Sequence, residues 1–214
     1  MGARGPRRKF SFDCGGWAES LSDCLPDPSF SSVLPPFSGA WRCSLFVFDF
    51  RDLTVAGSAV QYLAQQPITV AILKDTNMQP VKDNYRFGVL FDGSACSEKV
   101  LRKTLSMMAD VDRLTTITVK EQGIDTSKIE AKINEICGER AHDQVTLNKY
   151  GSHTVKEKVK EYLREQDEND AYIDFICVGN RGLNVGNAVD GENYLGTVAQ
   201  AMIGMRRLNV IFVP

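Results

Sequence analysis

A chain of 214 residues is long enough for one large domain or a domain and a half. Its 43% apolar and 24% charged content is that of an ordinary globular protein. A formal charge of −2 gives no electrostatic reason to expect nucleic acid or an acidic membrane as partner, and no window approaches the roughly eighteen consecutive apolar residues of a bilayer span.

The first stretch, MGARGPRRKFSFD, is basic and then turns acidic. It lacks the apolar segment of a secretory signal, and Asp13, Glu19, Asp23 and Asp27 argue against an organellar transit peptide. Pro6 stands where a myristoylation signal needs Ser or Thr. Residues 1–42 are rich in Gly, Ser and Pro without a period of two or 3.6, and read as a disordered or irregular tail. Ser44–Phe48 is a short strand-like run. A helical stretch over 56–65 and a strand over Ile68–Leu73 follow, and 76–84 reads as a linker.

From residue 85 the pattern is regular. Arg86–Phe91 is an apolar strand ended by Asp92-Gly93-Ser94. A helix from about Ser97 to Met108 carries Leu101, Leu105 and Met108 on one face, and Leu114–Val119 is a second strand. Ser127 is placed to cap a helix with Ile129, Ile133, Ile136 and Cys137 at i, i+4, i+7 and i+8. Val145–Tyr150 is a third strand. Thr154 is placed to cap a helix with Val155, Val159, Tyr162 and Leu163 at the same spacing. Tyr172–Val178 is the fourth strand, and a helix over about 195–205 precedes a last strand, Leu208–Val213. Short apolar strands alternating with amphipathic helices predict an α/β fold, an open five-stranded parallel sheet with helices on both faces over 85–214. Its ligand crevice lies beyond the carboxyl ends of the strands.

Six cysteines, with no Cys-x-x-Cys pair, argue against zinc and redox chemistry. Cys137 and Cys177 sit among apolar residues, as free buried thiols do, and a reducing, cytoplasmic compartment is expected. His142 and His153 have no nucleophile near them in sequence and read as solvated surface residues.

The carboxyl-end rule gathers Asp92-Gly93-Ser94 and Gly179-Asn180-Arg181-Gly182 at one sheet edge. Glycine there leaves no Cβ between a ligand and the backbone, and Gly196-Thr197 opens the last helix, where free N–H groups favour anions. The glycines suit a phosphate chain, and they equally suit a plain tight turn.

The whole of 85–214 resembles the universal stress protein domain. Leu90-Phe91-Asp92-Gly93-Ser94 with Ser97-Glu98, Val178-Gly179-Asn180-Arg181-Gly182, Leu195-Gly196-Thr197-Val198 and Leu208–Val213 match that family's landmarks in order. The resemblance implies an adenine-nucleotide, Rossmann-like fold that holds ATP or AMP, with or without Mg2+. Gly179, Gly182, Gly196 and Thr197 would cradle phosphates, with Val178 and Val198 beside them. Asp92 would lie near adenine and ribose, and Val119 would touch the base. Arg181 would meet a phosphate, or stay a solvated loop residue. No catalytic residue is implied, and the chain is expected not to be an enzyme. The departure from the family pattern is the thirteen residues 183–195, four more than the pattern holds, with Asp190 and Glu192 among them. Carboxylates near a triphosphate repel it unless a cation intervenes. A second reading therefore stands beside the first: an interaction module of this fold whose nucleotide site is degraded by the insertion.

Residues 57–73, Gly57-Ser58-Ala59-Val60-Gln61 through Leu73, repeat 196–213 with a one-residue gap. So 43–75 reads as the closing β-α-β of a first such unit, without the glycine cradle. A β-α-β piece cannot bury its apolar face alone. Strand 68–73 is therefore expected antiparallel against 208–213, as an intrachain pseudo-dimer or across a homodimer.

Overall fold

The computed structural model describes residues 45–49, 69–73, 82–120, 125–179, 196–205 and 208–214. The helical stretch expected over 56–65 lies outside them, as do Arg181 and Gly182. The strands are β1 (Leu45–Asp49), β2 (Thr69–Leu73), β3 (Arg86–Leu90), β4 (Arg113–Lys120), β5 (His142–Asn148), β6 (Phe175–Gly179) and β7 (Asn209–Val213). The helices are α1 (Ala95–Met107), α2 (Ser127–Cys137), α3 (Val155–Glu168) and α4 (Thr197–Ile203).

All seven strands join one sheet in the order β1-β2-β7-β6-β3-β4-β5. The five from β7 to β5 are mutually parallel. The N-terminal pair, parallel within itself, joins through β2, which runs antiparallel to β7 with Val70, Ala71 and Ile72 opposite Phe212, Ile211 and Val210. The sheet is therefore mixed, and among the described strands the antiparallel seam is the one between β2 and β7.

Alternation along the strands builds a core on each face. Val70, Ile72, Ile176, Val178, Val210 and Phe212 meet Val159 and Leu163 of α3 and Ala199 and Met202 of α4. Ala71, Phe87, Val89, Cys177, Ile211 and Val213 meet Val100 and Leu101 of α1 and Ile133 and Cys137 of α2. Residues of β2 contribute to both layers, so this strand shares the main core.

Thr154 caps α3 in a reciprocal box: its hydroxyl accepts from Glu157 N–H, and Glu157 Oε2 accepts from Thr154 N–H at 2.7 Å. Those bonds hold the Glu157 carboxyl below its ordinary range. Ser127 is not the cap of α2 but its first residue; Asp125 Oδ1 takes the Ser127 N–H instead, at 2.9 Å. The third strand starts three residues earlier than its hydropathy suggests, at His142, because β5 is a sheet edge and its pairing with β4 needs no apolar face. His142 is half-buried, its Nδ1 2.9 Å from the Arg140 carbonyl, rather than fully solvated. Cys137 and Cys177 are free and buried. No helix among the described residues is long and apolar enough to cross a membrane.

Candidate functional site

The sheet order places β3 and β6 side by side, with Val89 opposite Cys177, although they are the first and fourth strands of the domain. From β3 the chain winds outward through β4 to β5; β6 and β7 lie on the other side. This reversal falls at the carboxyl ends of β3 and β6, the position where ligands enter such sheets.

Asp92 and Gly93 lie just past the end of β3. Asp92 Oδ1 accepts the Ser94 N–H at 3.0 Å, closing a tight turn. Gly93 has φ +79°, a conformation that L side chains rarely adopt, and a Cβ there would lie 3.3 Å from Ile129 Cγ1. Ser94 then caps α1, its Oγ accepting from Ser97 N–H at 3.1 Å, while Ser97 Oγ donates back to the Ser94 carbonyl. Both serines are committed to the turn.

Gly179 ends β6 opposite Val213. Val119 sits near the end of β4, half-buried. The crossover from β6 to the parallel strand β7 brings the N-terminus of α4 back to this same edge: Gly196 is its cap residue and Thr197 its first, both exposed, and Val198 is half-buried. The fold thus assembles Asp92, Val119, Gly179, Gly196, Thr197 and Val198 along one rim. Val178 differs. Its side chain is 3% exposed within the core that α3 and α4 cover, so only its backbone can face the crevice.

Gly196 has φ −59° and ψ 152°, ordinary extended backbone, and no atom of the described residues lies within 4 Å of where its Cβ would be. Among the described residues, no group of three or more His, Cys, Asp or Glu side chains gathers to hold a metal.

The opposite edge of the sheet carries buried polar anchors that the sequence reading missed. Asp174 Oδ2 accepts from Arg86 N–H and Oδ1 from Lys82 Nζ, at 2.8 and 2.6 Å. Asn209 donates to the Asp174 carbonyl at 3.0 Å. Asp112 accepts from Tyr85 and Ala109 N–H groups. Lys82 also lies 3.7 Å from the centre of the Tyr172 ring. The available signal was an acid one residue before an apolar strand, twice over. Two clefts of about 350 and 360 Å3 lie near this edge, along α3, and contain none of the expected nucleotide residues.

No family model matches the sequence, and no curated protein matches it. Solved structures do. A universal stress protein from Archaeoglobus fulgidus DSM 4304 superposes with a TM-score of 0.54 at 19% identity, over 79% of this chain and 60% of that one. A universal stress protein in complex with cAMP superposes with a TM-score of 0.43 at 19% identity, over 60% of this chain and 95% of that one. The first likeness establishes a universal stress protein-like fold, and the present chain spans 60% of that protein's length.

Proposed function

We propose that this chain, with its universal stress protein-like fold, is a nucleotide-binding regulatory protein that takes ATP or AMP at the β3–β6 crevice and acts through dimer or partner contacts. One observation carries the reading: the turn Asp92-Gly93, the end of β6 at Gly179 and the exposed Gly196-Thr197 come to the same rim at the strand reversal. Adenine and ribose would lie near Asp92 and Val119. The phosphates would run from Gly179 toward Gly196 and Thr197, with Arg181 and Gly182 contributing from the loop between. Mg2+, when present, would screen phosphate charge from Asp190 and Glu192. No residue here is assigned to catalysis.

The thermal melt of the full chain with and without millimolar Mg-ATP tests this. A ligand at a hundred times its Kd stabilises by about 2.7 kcal/mol, a shift of several degrees for a protein of this size. Absence of any shift with ATP or AMP removes the nucleotide reading and leaves the fold as an interaction module. That second reading is favoured by the Asp92 carboxylate already accepting the Ser94 N–H, and by the acidic insertion.

A further inference from the structure

The cleft of about 360 Å3 lies between the later turns of α3 and the face of β3, β4 and β5 that α3 covers. It sits toward the amino ends of those strands, at the other end of the sheet from Gly93 and Gly196. Alternation aims the strand residues into it. Arg86, Thr115 and Asp143 fall in step with Leu90, Ile117 and Leu147, which belong to the core under α3. Tyr162 and Gln166, one helical turn apart on α3, line the opposite side. Val145 and Ile173 add apolar surface.

The charges in this cleft are sorted to its two ends. In the β3–β4 ladder Arg86 stands directly opposite Arg113, and like charges opposite one another across a ladder repel. In the β4–β5 ladder Thr115 stands opposite Asp143. Arg86 and Asp143 are thus two strands and two residues apart, about 12 Å between Cα atoms at ordinary strand spacing and rise. Among the described residues, no ion pair joins the two ends. Burial, and after it the Asp143 charge, raises the Tyr162 hydroxyl above its ordinary value, so Tyr162 and Asp143 face the same space.

We infer that this cleft binds a free α-amino acid, with the carboxylate on Arg86 and the ammonium on Asp143. A guanidinium takes a carboxylate through two parallel bonds, and an anion there also relieves the repulsion between Arg86 and Arg113. At the other end the Asp143 carboxylate accepts from the ammonium, and the Thr115 and Tyr162 hydroxyls and the Gln166 amide oxygen can accept its remaining protons. The apolar part of the ligand rests on Val145 and Ile173. Small-molecule sites begin at about 300 Å3, so the space suffices. A simple dicarboxylate would meet Asp143, and a diamine would meet Arg86. Only a molecule carrying both charges satisfies both ends. The nucleotide reading concerns the other end of the sheet, and neither depends on the other.

The test records amide NMR spectra of the full chain with each common L-amino acid added in turn at millimolar concentration. The expected result is a saturable shift of the Thr115 and Asp143 amides by at least one of them, with Gly93 and Thr197 unmoved. Its analogues lacking the amino group or the carboxylate should bind about tenfold more weakly or worse, as should the amino acid itself to Arg86→Gln and Asp143→Asn, since each change removes a charge-assisted bond. Arg86→Lys, which keeps the charge and loses the fork, serves if Arg86→Gln lowers the melt of the free chain. No shift with any amino acid overturns the proposal. So do shifts confined to Gly93 and Thr197, or an affinity unchanged in the folded variants. Equal binding of the analogue without an amino group also overturns it, and leaves only an anion site on the arginines.

Discussion

Ala71 lies directly opposite Ile211 in the antiparallel seam, and the two are equivalent positions of the internal repeat. The flanking pairs, Val70 with Phe212 and Ile72 with Val210, exchange under the same equivalence. A local two-fold axis therefore passes through the Ala71–Ile211 pair. The N-terminal strands meet the main domain as one half of a symmetric pair meets the other, within a single chain.

Symmetric seating makes β2 a core strand rather than an appendage. Ile72 is fully buried and shares a core with Met202, Val210 and Phe212. Ile72→Ala is expected to cost roughly 2–5 kcal/mol and to lower the one cooperative melt of the full chain. Two separate calorimetric transitions, with the upper one unmoved by the substitution, would show the N-terminal strands folding apart from the domain.

The rim residue Gly196 permits a clean test of the crevice. Its backbone conformation suits any L residue, and a Cβ there meets no atom of the described residues within 4 Å. Gly196→Val is expected to cost at most about 1 kcal/mol, through the weaker helix cap. The Mg-ATP melting shift of the parent chain should vanish in it. A variant that keeps the full shift would place the phosphates elsewhere.

How far the sequence reached depended on which physical signal each element carries. Interior strands such as Arg86–Leu90 and the α1–α3 faces were legible because burial on one or two faces writes an apolar period. The antiparallel seam was legible because the repeat left an apolar strand, Thr69–Leu73, with nothing else to cover it. β5 was misplaced by three residues because an edge strand is held by its backbone ladder, and His142-Asp143-Gln144 show no hydropathy. Asp174 and Asp112 escaped because their partners are backbone N–H groups 88 and 27 residues away in sequence, which no local pattern announces. Val178 was assigned to the site by resemblance, whereas alternation along β6 turns its side chain into the core.

Asp174 ties four segments at the amino-terminal edge: Lys82 and Arg86 through its carboxylate, β6 through its own backbone, and β7 through Asn209. Its side chain is 4% exposed, so Asp174→Ala leaves the Arg86 N–H without an acceptor in a dry site. The expected cost is about 2–3 kcal/mol, most of it from that orphaned donor. Lys82, at 23% exposure, can find water and adds little. Asp174→Asn retains an acceptor oxygen and should lose less. Urea titration of the two variants gives the comparison, and equal midpoints would show that the charge, not the acceptor, matters.

Alkaline pH should unfold the chain through groups that the fold holds protonated. Burial pushes the Cys177 thiol up from 9.0 to about 12, against a small opposing effect of Thr104. Burial raises the Cys137 thiol as well. For Lys82, burial opposes the charge, but the bonds to Asp174 and Tyr172 outweigh it and leave the ammonium held above its ordinary 10.5. Each group has a higher value folded than unfolded, so the fold binds the proton more tightly. The Cys177 contribution is complete below pH 9 and drains away between pH 9 and 12, as the unfolded thiol ionises and the folded one does not. The melting temperature should therefore hold steady from pH 7 to 8.5 and fall steeply above pH 9. Cys177→Ala, at a site buried between β6 and α1, will lower the plateau but should flatten the decline. A variant whose curve keeps the wild-type steepness would assign the alkaline loss to the remaining thiols, tyrosines and lysines.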